Sequence, residues 1–281
     1  MRVKTLTVMV VLISGMMVAP ALMFSFTPGF ELAGTVSAAS DHTVYVGGTG
    51  PGNDLTIQAG IDAATENGTV YVYGDTYHEN VVIPKPMFLV GEDRNVVGID
   101  GGTDENTTAS VIEISANGVH VSGFTVYNGS QGGVTFTDGV QNCSVTNSMA
   151  SDNKYGISVG YSTNITVSEC IISDNYHGIL LLTGYTEGNT ITSNSISHNQ
   201  GRGIYVESSG GNHITNNTVY HNGWSTTYAS ERYGVYLTSD AYGNILAHNS
   251  LIGNKNNAYD AGNNTWYNAT LNEGNYWSNF D

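Results

Sequence analysis

Four residues able to bind a proton or a metal recur at one position, once per repeat: Asp152, Asp174, His198 and His221. Paired carboxylates can hydrolyse glycosides when they stand roughly 5–10 Å apart. Asp152 and Asp174 meet that condition if successive repeats stack at ~4.8 Å. A histidine pair beside carboxylates can hold a divalent ion, calcium on oxygens or copper on imidazoles. The competing reading is turn chemistry, because Ser-Asp-Asn bonds its own backbone and corner histidines are ordinarily solvated. No His-x-His, Met-rich or Cys-x-x-Cys cluster accompanies the four. A second group is aromatic. Tyr205 and Tyr236 occupy equivalent positions one repeat apart, and an insert at 224–233 adds Trp224, Tyr228, Arg232 and Tyr233 at the same edge. Rings on a flat sheet can stack against sugars, and an insert can wall a groove. In the alternative, the insert folds its aromatics down as packing.

These positions have meaning only if a scaffold sets them in register. Gly129, Asn153, Asn175, Asn199, Asn222 and Asn254 are spaced by 24, 22, 24, 23 and 32 residues, the last long because of the insert. A period in the low twenties marks a solenoid built of single coils. Three residues before each anchor stand Val126, Ala150, Ile172, Ile196, Val219 and Leu251; eight before stand Val121, Val145, Val167, Ile191, Ile214 and Leu246. Short stretches of period two, separated by Asn and Gly, put one face in and one face out. Nothing is spaced for long helices. Asn194, Asn217 and Asn249 share a column suited to an inward amide ladder. The column Gly133, Gly156, Gly178, Gly203 and Gly234 is expected to supply backbone angles that other residues resist. The ends of such a rod need caps. Ile57, Ile61 and Ala64 on one face of a short helix (54–66) suit the first coil; Trp266, Tyr267, Tyr276, Trp277 and Phe280 (within 262–281) suit the last.

Composition limits the function. Only 11% of residues are charged, against 40% hydrophobic and 35 glycines, and the net charge is −16. Such a surface repels nucleic acid and other polyanions. Residues 1–38 read as a secretion leader: Arg2 and Lys4, an apolar run, then Val36-Ser37-Ala38. Its removal takes Arg2, Lys4 and Glu31, so −16 becomes −17. An uncleaved anchor is the alternative, the apolar run being close to the ~20 residues of a membrane span. Sequons at Asn67, Asn106, Asn128, Asn142, Asn164, Asn216, Asn263 and Asn268 fit an extracytoplasmic surface. Cys143 and Cys170 fall at different offsets from their anchors, ~16 Å of strand path apart, whereas a disulfide needs Cα atoms within ~7 Å. Two free thiols are expected, with Cys170 buried.

The segment at 56–93, TIQAGIDAATENGTVYVYGDTYHENVVIPKPMFLVGED, runs helix, strand, Tyr-x-Glu turn, then Leu-x-Gly-Glu. With the repeat, it resembles the NosD-like family of right-handed parallel β-helix proteins, related to the pectate-lyase-like superfamily, over about residues 42–281. The resemblance implies an all-β, single-stranded right-handed parallel β-helix, in coils of about 22–24 residues, with a short N-terminal capping helix. It also implies a copper-associated periplasmic role as one alternative. Pectin methylesterases share a Gly-x-Tyr-x-Glu opening, but Asp75 stands where that Gly would, and their further motifs are missing. The favoured expectation is a secreted, non-enzymatic cell-surface protein that binds or displays a polysaccharide or cell-envelope glycan, with no nucleic-acid partner, no membrane insertion after leader cleavage, and a tendency to self-associate through its ends. A polysaccharide lyase, hydrolase or epimerase is the runner-up.

Overall fold

A computed structural model describes residues 43–102, 109–182, 186–225 and 227–278. The expected leader at 1–38, the sequon at Asn106 and Phe280 lie outside the described residues. Residues 41–281 form one compact unit. Among the described residues no helix is long and apolar enough to cross a membrane.

The chain winds into a right-handed parallel β-helix of about 9 turns. Each turn visits three parallel sheets, of ten, nine and eight strands. The first sheet begins at Thr43–Val46, the second at Asp75–His78 and the third at Val81–Ile83. The aliphatic columns stack as the spacing predicts. Val126, Ala150, Ile172, Ile196, Val219 and Leu251 pair strand on strand in the second sheet. Val121, Val145, Val167, Ile191, Ile214 and Leu246 do so in the first. All are buried. Each removes its apolar surface from water, worth ~1.5–3 kcal/mol per side chain.

The corners explain the rest of the repeat. Each sheet ends in a residue at positive φ: Asn147, Glu169, Ser193, Asn216 and His248 after the first sheet; Asn128, Asp152, Asp174, His198 and His221 after the second; Asn142 and Asn164 after the third, then Gly188, Gly211 and Gly243. Asn, Asp, His and Gly, which make up all but Glu169 and Ser193 of these corners, are the residues that best tolerate this left-handed region. The residue after each corner points inward. In the later coils it is Asn, so the protein holds three amide ladders: Asn153–Asn175–Asn199–Asn222–Asn254, Asn194–Asn217–Asn249–Asn275 and Asn189–Asn212–Asn244–Asn264. Each amide donates to the next Oδ1 and to a strand carbonyl, and each Oδ1 also accepts a corner backbone N–H. The ladders thereby pair corner groups that the sheets leave out.

The glycine column has a different cause from the expected one. Gly133, Gly156, Gly178, Gly203 and Gly234 are absent from the positive-φ glycines. A Cβ on Gly178 would stand 2.3 Å from the Gly203 carbonyl oxygen and 3.0 Å from Asn199 Nδ2. The column is small because the ladder and the next coil approach it closely.

The opening motif is a set of locks. The helix Ile57–Ala63 buries Ile57 and Ile61, with Ala64 as its C-cap. Glu79 accepts the Ile57 and Gln58 backbone N–H groups at 2.7 and 3.0 Å. Tyr77 donates its hydroxyl to the Tyr73 carbonyl at 2.9 Å. Glu92 accepts the Gly74 N–H at 2.8 Å. At the far end Trp266 and Trp277 pack on the core with ring centroids 5.4 Å apart, while Tyr267 and Tyr276 are exposed. Cys143 and Cys170 are free and buried, each just after a corner, but at different corners.

Candidate functional site

The outer face of the third sheet carries the densest polar-aromatic arrangement. Its later strands are His177–Leu182, Ile204–Glu207, Val235–Leu237 and Ala258–Asp260. Alternation sends every second side chain outward, and Tyr205, Tyr236 and Tyr259 stand in register. Tyr236 and Tyr259 stack at 4.9 Å between centroids and 19° between planes; Tyr205 meets Tyr236 edge-on at 5.9 Å. Rings stacked along the coil axis turn edges and hydroxyls to solvent, so sugar faces are not met by a row of flat rings. Tyr233 closes the group, 5.3 Å from Tyr236 and 5.6 Å from Tyr259. The Arg202 guanidinium lies 4.0 Å over the Tyr205 ring and 4.6 Å over Tyr236, close enough for cation–π attraction. Burial and then the negative charge of nearby Glu207 push Tyr205 up to about 12.

The insert is a strap lying beside these rings. Its 3-10 turn Ala229–Glu231 is pinned at three points. Tyr176 donates its hydroxyl to Glu231 at 2.7 Å. His177 Nε2 faces the same carboxylate at 3.8 Å. Arg202 Nε donates to the Ser230 carbonyl at 2.9 Å. His177 Nδ1 accepts the Arg202 backbone N–H at 2.9 Å, which puts the imidazole proton on Nε2. Burial, then the Arg202 charge, hold this histidine down to about 4.

Of the six aromatic-group candidates, the structure brings Tyr205, Tyr236 and Tyr233 together. Trp224 sits elsewhere: its Nε1 donates to the Gly253 carbonyl at 2.9 Å, and Lys255 lies 4.5 Å over its ring. Tyr228 is exposed on the strap, and Arg232 donates to the Thr227 carbonyl within it. Tyr259, Arg202, His177 and Glu231 were not anticipated. Tyr259 escaped because Asn257 replaces the glycine of the other coils, so the motif Gly-x-Tyr is broken there. The signal for Arg202 was its place immediately before Gly203, in a column that otherwise holds Gly132, Tyr155, His177 and Tyr233.

The column Asp152, Asp174, His198, His221 is the second corner, and all four residues have φ between 54 and 60°. His198 and His221 meet edge-on at 5.3 Å, each against the Tyr220 ring. Among the described residues no three His, Cys, Asp or Glu side chains are grouped to hold a metal ion. Two imidazoles fall short of the three or four donors of ordinary copper or zinc sites. Burial raises both thiols, Cys170 to about 11, and keeps them from serving as thiolates.

The family model for periplasmic copper-binding protein (NosD) matches residues 61–281, and the chain belongs to that family. Among curated proteins nothing matches it. Solved structures of similar shape include the Geobacillus virus E2 protein ORF18, at 14% identity and TM-score 0.53 over 69% of this chain. This chain spans about half of that protein, 48% of its length. A pectin methylesterase mutant in complex with a hexasaccharide is 15% identical, TM-score 0.57, covering 78% of this chain and 80% of its own. A pectate lyase, Pel9A, is 13% identical, TM-score 0.55, covering 84% and 80%. At these identities the likeness is one of fold.

Proposed function

We propose that this NosD-family chain acts outside the cytoplasm as a non-enzymatic β-helix protein that binds or displays carbohydrate on the outer face of its third sheet. The observation that carries the reading is the group of Tyr205, Tyr233, Tyr236 and Tyr259 around the Arg202 guanidinium, beside a strap pinned by Glu231. Ring edges, hydroxyls and a guanidinium on a flat, rigid sheet offer a saccharide both apolar contact and oriented hydrogen bonds. Two proteins of similar fold are a pectin methylesterase with bound hexasaccharide and a pectate lyase, which supports a saccharide as the ligand class. The family's description as periplasmic and the leader-like start support the location.

The test is a screen of the purified chain on polysaccharides, scoring retention and product release together. Tyr236→Ala with Tyr259→Ala removes two stacked rings, at ~0.5–1.5 kcal/mol each, and is expected to weaken retention about tenfold or more. Trp224→Ala is expected to leave it unchanged. Retention untouched by the double substitution would end the reading, and product release by the wild type would transfer the site to the enzymatic alternative. Copper is a second reading, carried by the family description, with the His198–His221 pair supplying only two of the donors such a site needs. Titration with Cu(II), with and without His221→Ala, reads it directly.

A further inference from the structure

Arg202 is buried without an ionic partner. It is 8% exposed. Histidines make the ion pairs His78–Asp100, His177–Glu231 and His248–Glu273, and Arg202 takes part in none of them. The side chain makes one hydrogen bond, from Nε to the Ser230 carbonyl. Its two terminal NH2 groups have no acceptor among the described residues. Two carboxylates stand nearby, Glu231, which accepts the Tyr176 hydroxyl, and Glu207, beside Tyr205, but neither pairs with the guanidinium.

Removing a charged side chain from water without a directly paired counter-ion is costly, and the tyrosine faces and the more distant charges of Glu207 and Glu231 recover only part of that cost. The strap uses one of the five N–H donors. Holding the strap therefore does not explain the charge, since a neutral donor would serve the Ser230 carbonyl. A chain with eight basic residues and a net charge of −16 has placed one of them where no carboxylate of the described residues comes within ion-pairing distance. The free edge of a guanidinium is a planar pair of donors that matches a carboxylate in two parallel hydrogen bonds.

We propose that Arg202 recognises the carboxylate of an acidic sugar, a uronate unit, held among Tyr205, Tyr236 and Tyr259. This rests on the carbohydrate reading of the same face and names its substrate class. The remaining charge of the protein opposes any polyanion at long range. Recognition therefore depends on the oriented short contact at Arg202, and neutralising the carboxylate of the ligand removes the preference.

The experiment uses the full chain and two probes, oligogalacturonate and oligoalginate, each against its own methyl ester and a neutral cello-oligosaccharide of equal length. Isothermal titration measures each affinity. The acids are expected to bind at least ~10-fold more tightly than their esters, the scale of one charge-assisted pair. Arg202→Lys keeps the charge but loses the planar fork, and is expected to erase most of that preference while the ester affinity stays near wild type. Because the acid-against-ester comparison is made on the wild type, a variant that fails to fold does not block the test. Equal binding of acids and esters, with saccharide binding intact, overturns the carboxylate assignment alone. Absence of binding to every oligosaccharide overturns both the assignment and the carbohydrate reading beneath it.

Discussion

Replacing Asn222 with Leu tests whether the amide ladders hold the rod together. Asn222 has no exposure to solvent. Its Oδ1 accepts the Asn199 backbone N–H at 3.1 Å and Asn199 Nδ2 at 2.9 Å. Its Nδ2 donates to the Ile196 carbonyl at 3.0 Å, the Tyr220 carbonyl at 3.1 Å and Asn254 Oδ1 at 2.9 Å. Leucine has the same branching at Cγ, is bulkier, and restores none of these bonds. The Asn199 N–H is then buried without an acceptor, at ~1–3 kcal/mol. The ladder also loses its bonds on both sides of position 222, at ~1 kcal/mol each. The expected loss is roughly 3–6 kcal/mol, a large part of the 5–15 kcal/mol that stabilises a typical domain. Because each coil touches only its neighbours, the damage should appear as early opening of the C-terminal coils. Urea unfolding followed by hydrogen exchange reads both quantities, with the outward Thr192→Ala as a control expected within ~0.5 kcal/mol. A loss below ~1 kcal/mol, with the Asn199 amide still protected from exchange, would refute the ladder as a stabilising device.

The strap makes stability depend on pH. His177 is held at about 4, below its ordinary 6.5, so the unfolded chain takes up the proton first; its contribution is complete above pH ~6.5 and is lost as the pH falls towards 4, about 3 kcal/mol in all. His177→Gln should flatten that part of the denaturation-midpoint profile, and an unchanged slope would place the proton elsewhere. Ala150 is the small member of its column and lines a cavity with Val126, Val145, Met149, Ile157, Cys170 and Ile172; Ala150→Val should raise stability by about 1 kcal/mol in a thermal melt, whereas a lower melting temperature would mean the space is already filled. Cys143 and Cys170 should show no mass gain of two hydrogens on reduction and should resist a thiol reagent until denaturant is added; fast labelling of the native protein would contradict their burial.

The fold was legible because burial imposes one rule on every coil. Ile172, Ile196 and Val219 had to be alike to keep one stripe dry, so their spacing carried the architecture. One ladder was legible, as Asn194, Asn217 and Asn249. The ladder from Asn153 to Asn254 was read only as a series of corners, and the one through Asn189 and Asn212 went unaligned. The glycine column was located correctly, but its cause lay in a neighbouring coil, which the linear sequence does not contain.

The site was obscured by the same regularity. A left-handed corner admits Asn, Asp, His or Gly, and the coil repeats that corner at a fixed height. Asp152 with Asp174 therefore resembles a carboxylate pair, and His198 with His221 a metal pair, through backbone demands alone. The sequons follow from the same rule. Asn67, Asn128, Asn142, Asn164 and Asn216 are left-handed corners; an inward residue follows each, and then an outward Ser or Thr. In a solenoid, a chemical pattern that repeats with the coil is first explained by the coil. The informative residues are those their column does not require. Arg202 is such a residue: one of only eight basic residues, buried, one position before a glycine that close packing explains, and with most of its donors unanswered. Backbone geometry does not call for it and the strap needs only one of its donors, which is why we assign the remaining donors to a ligand.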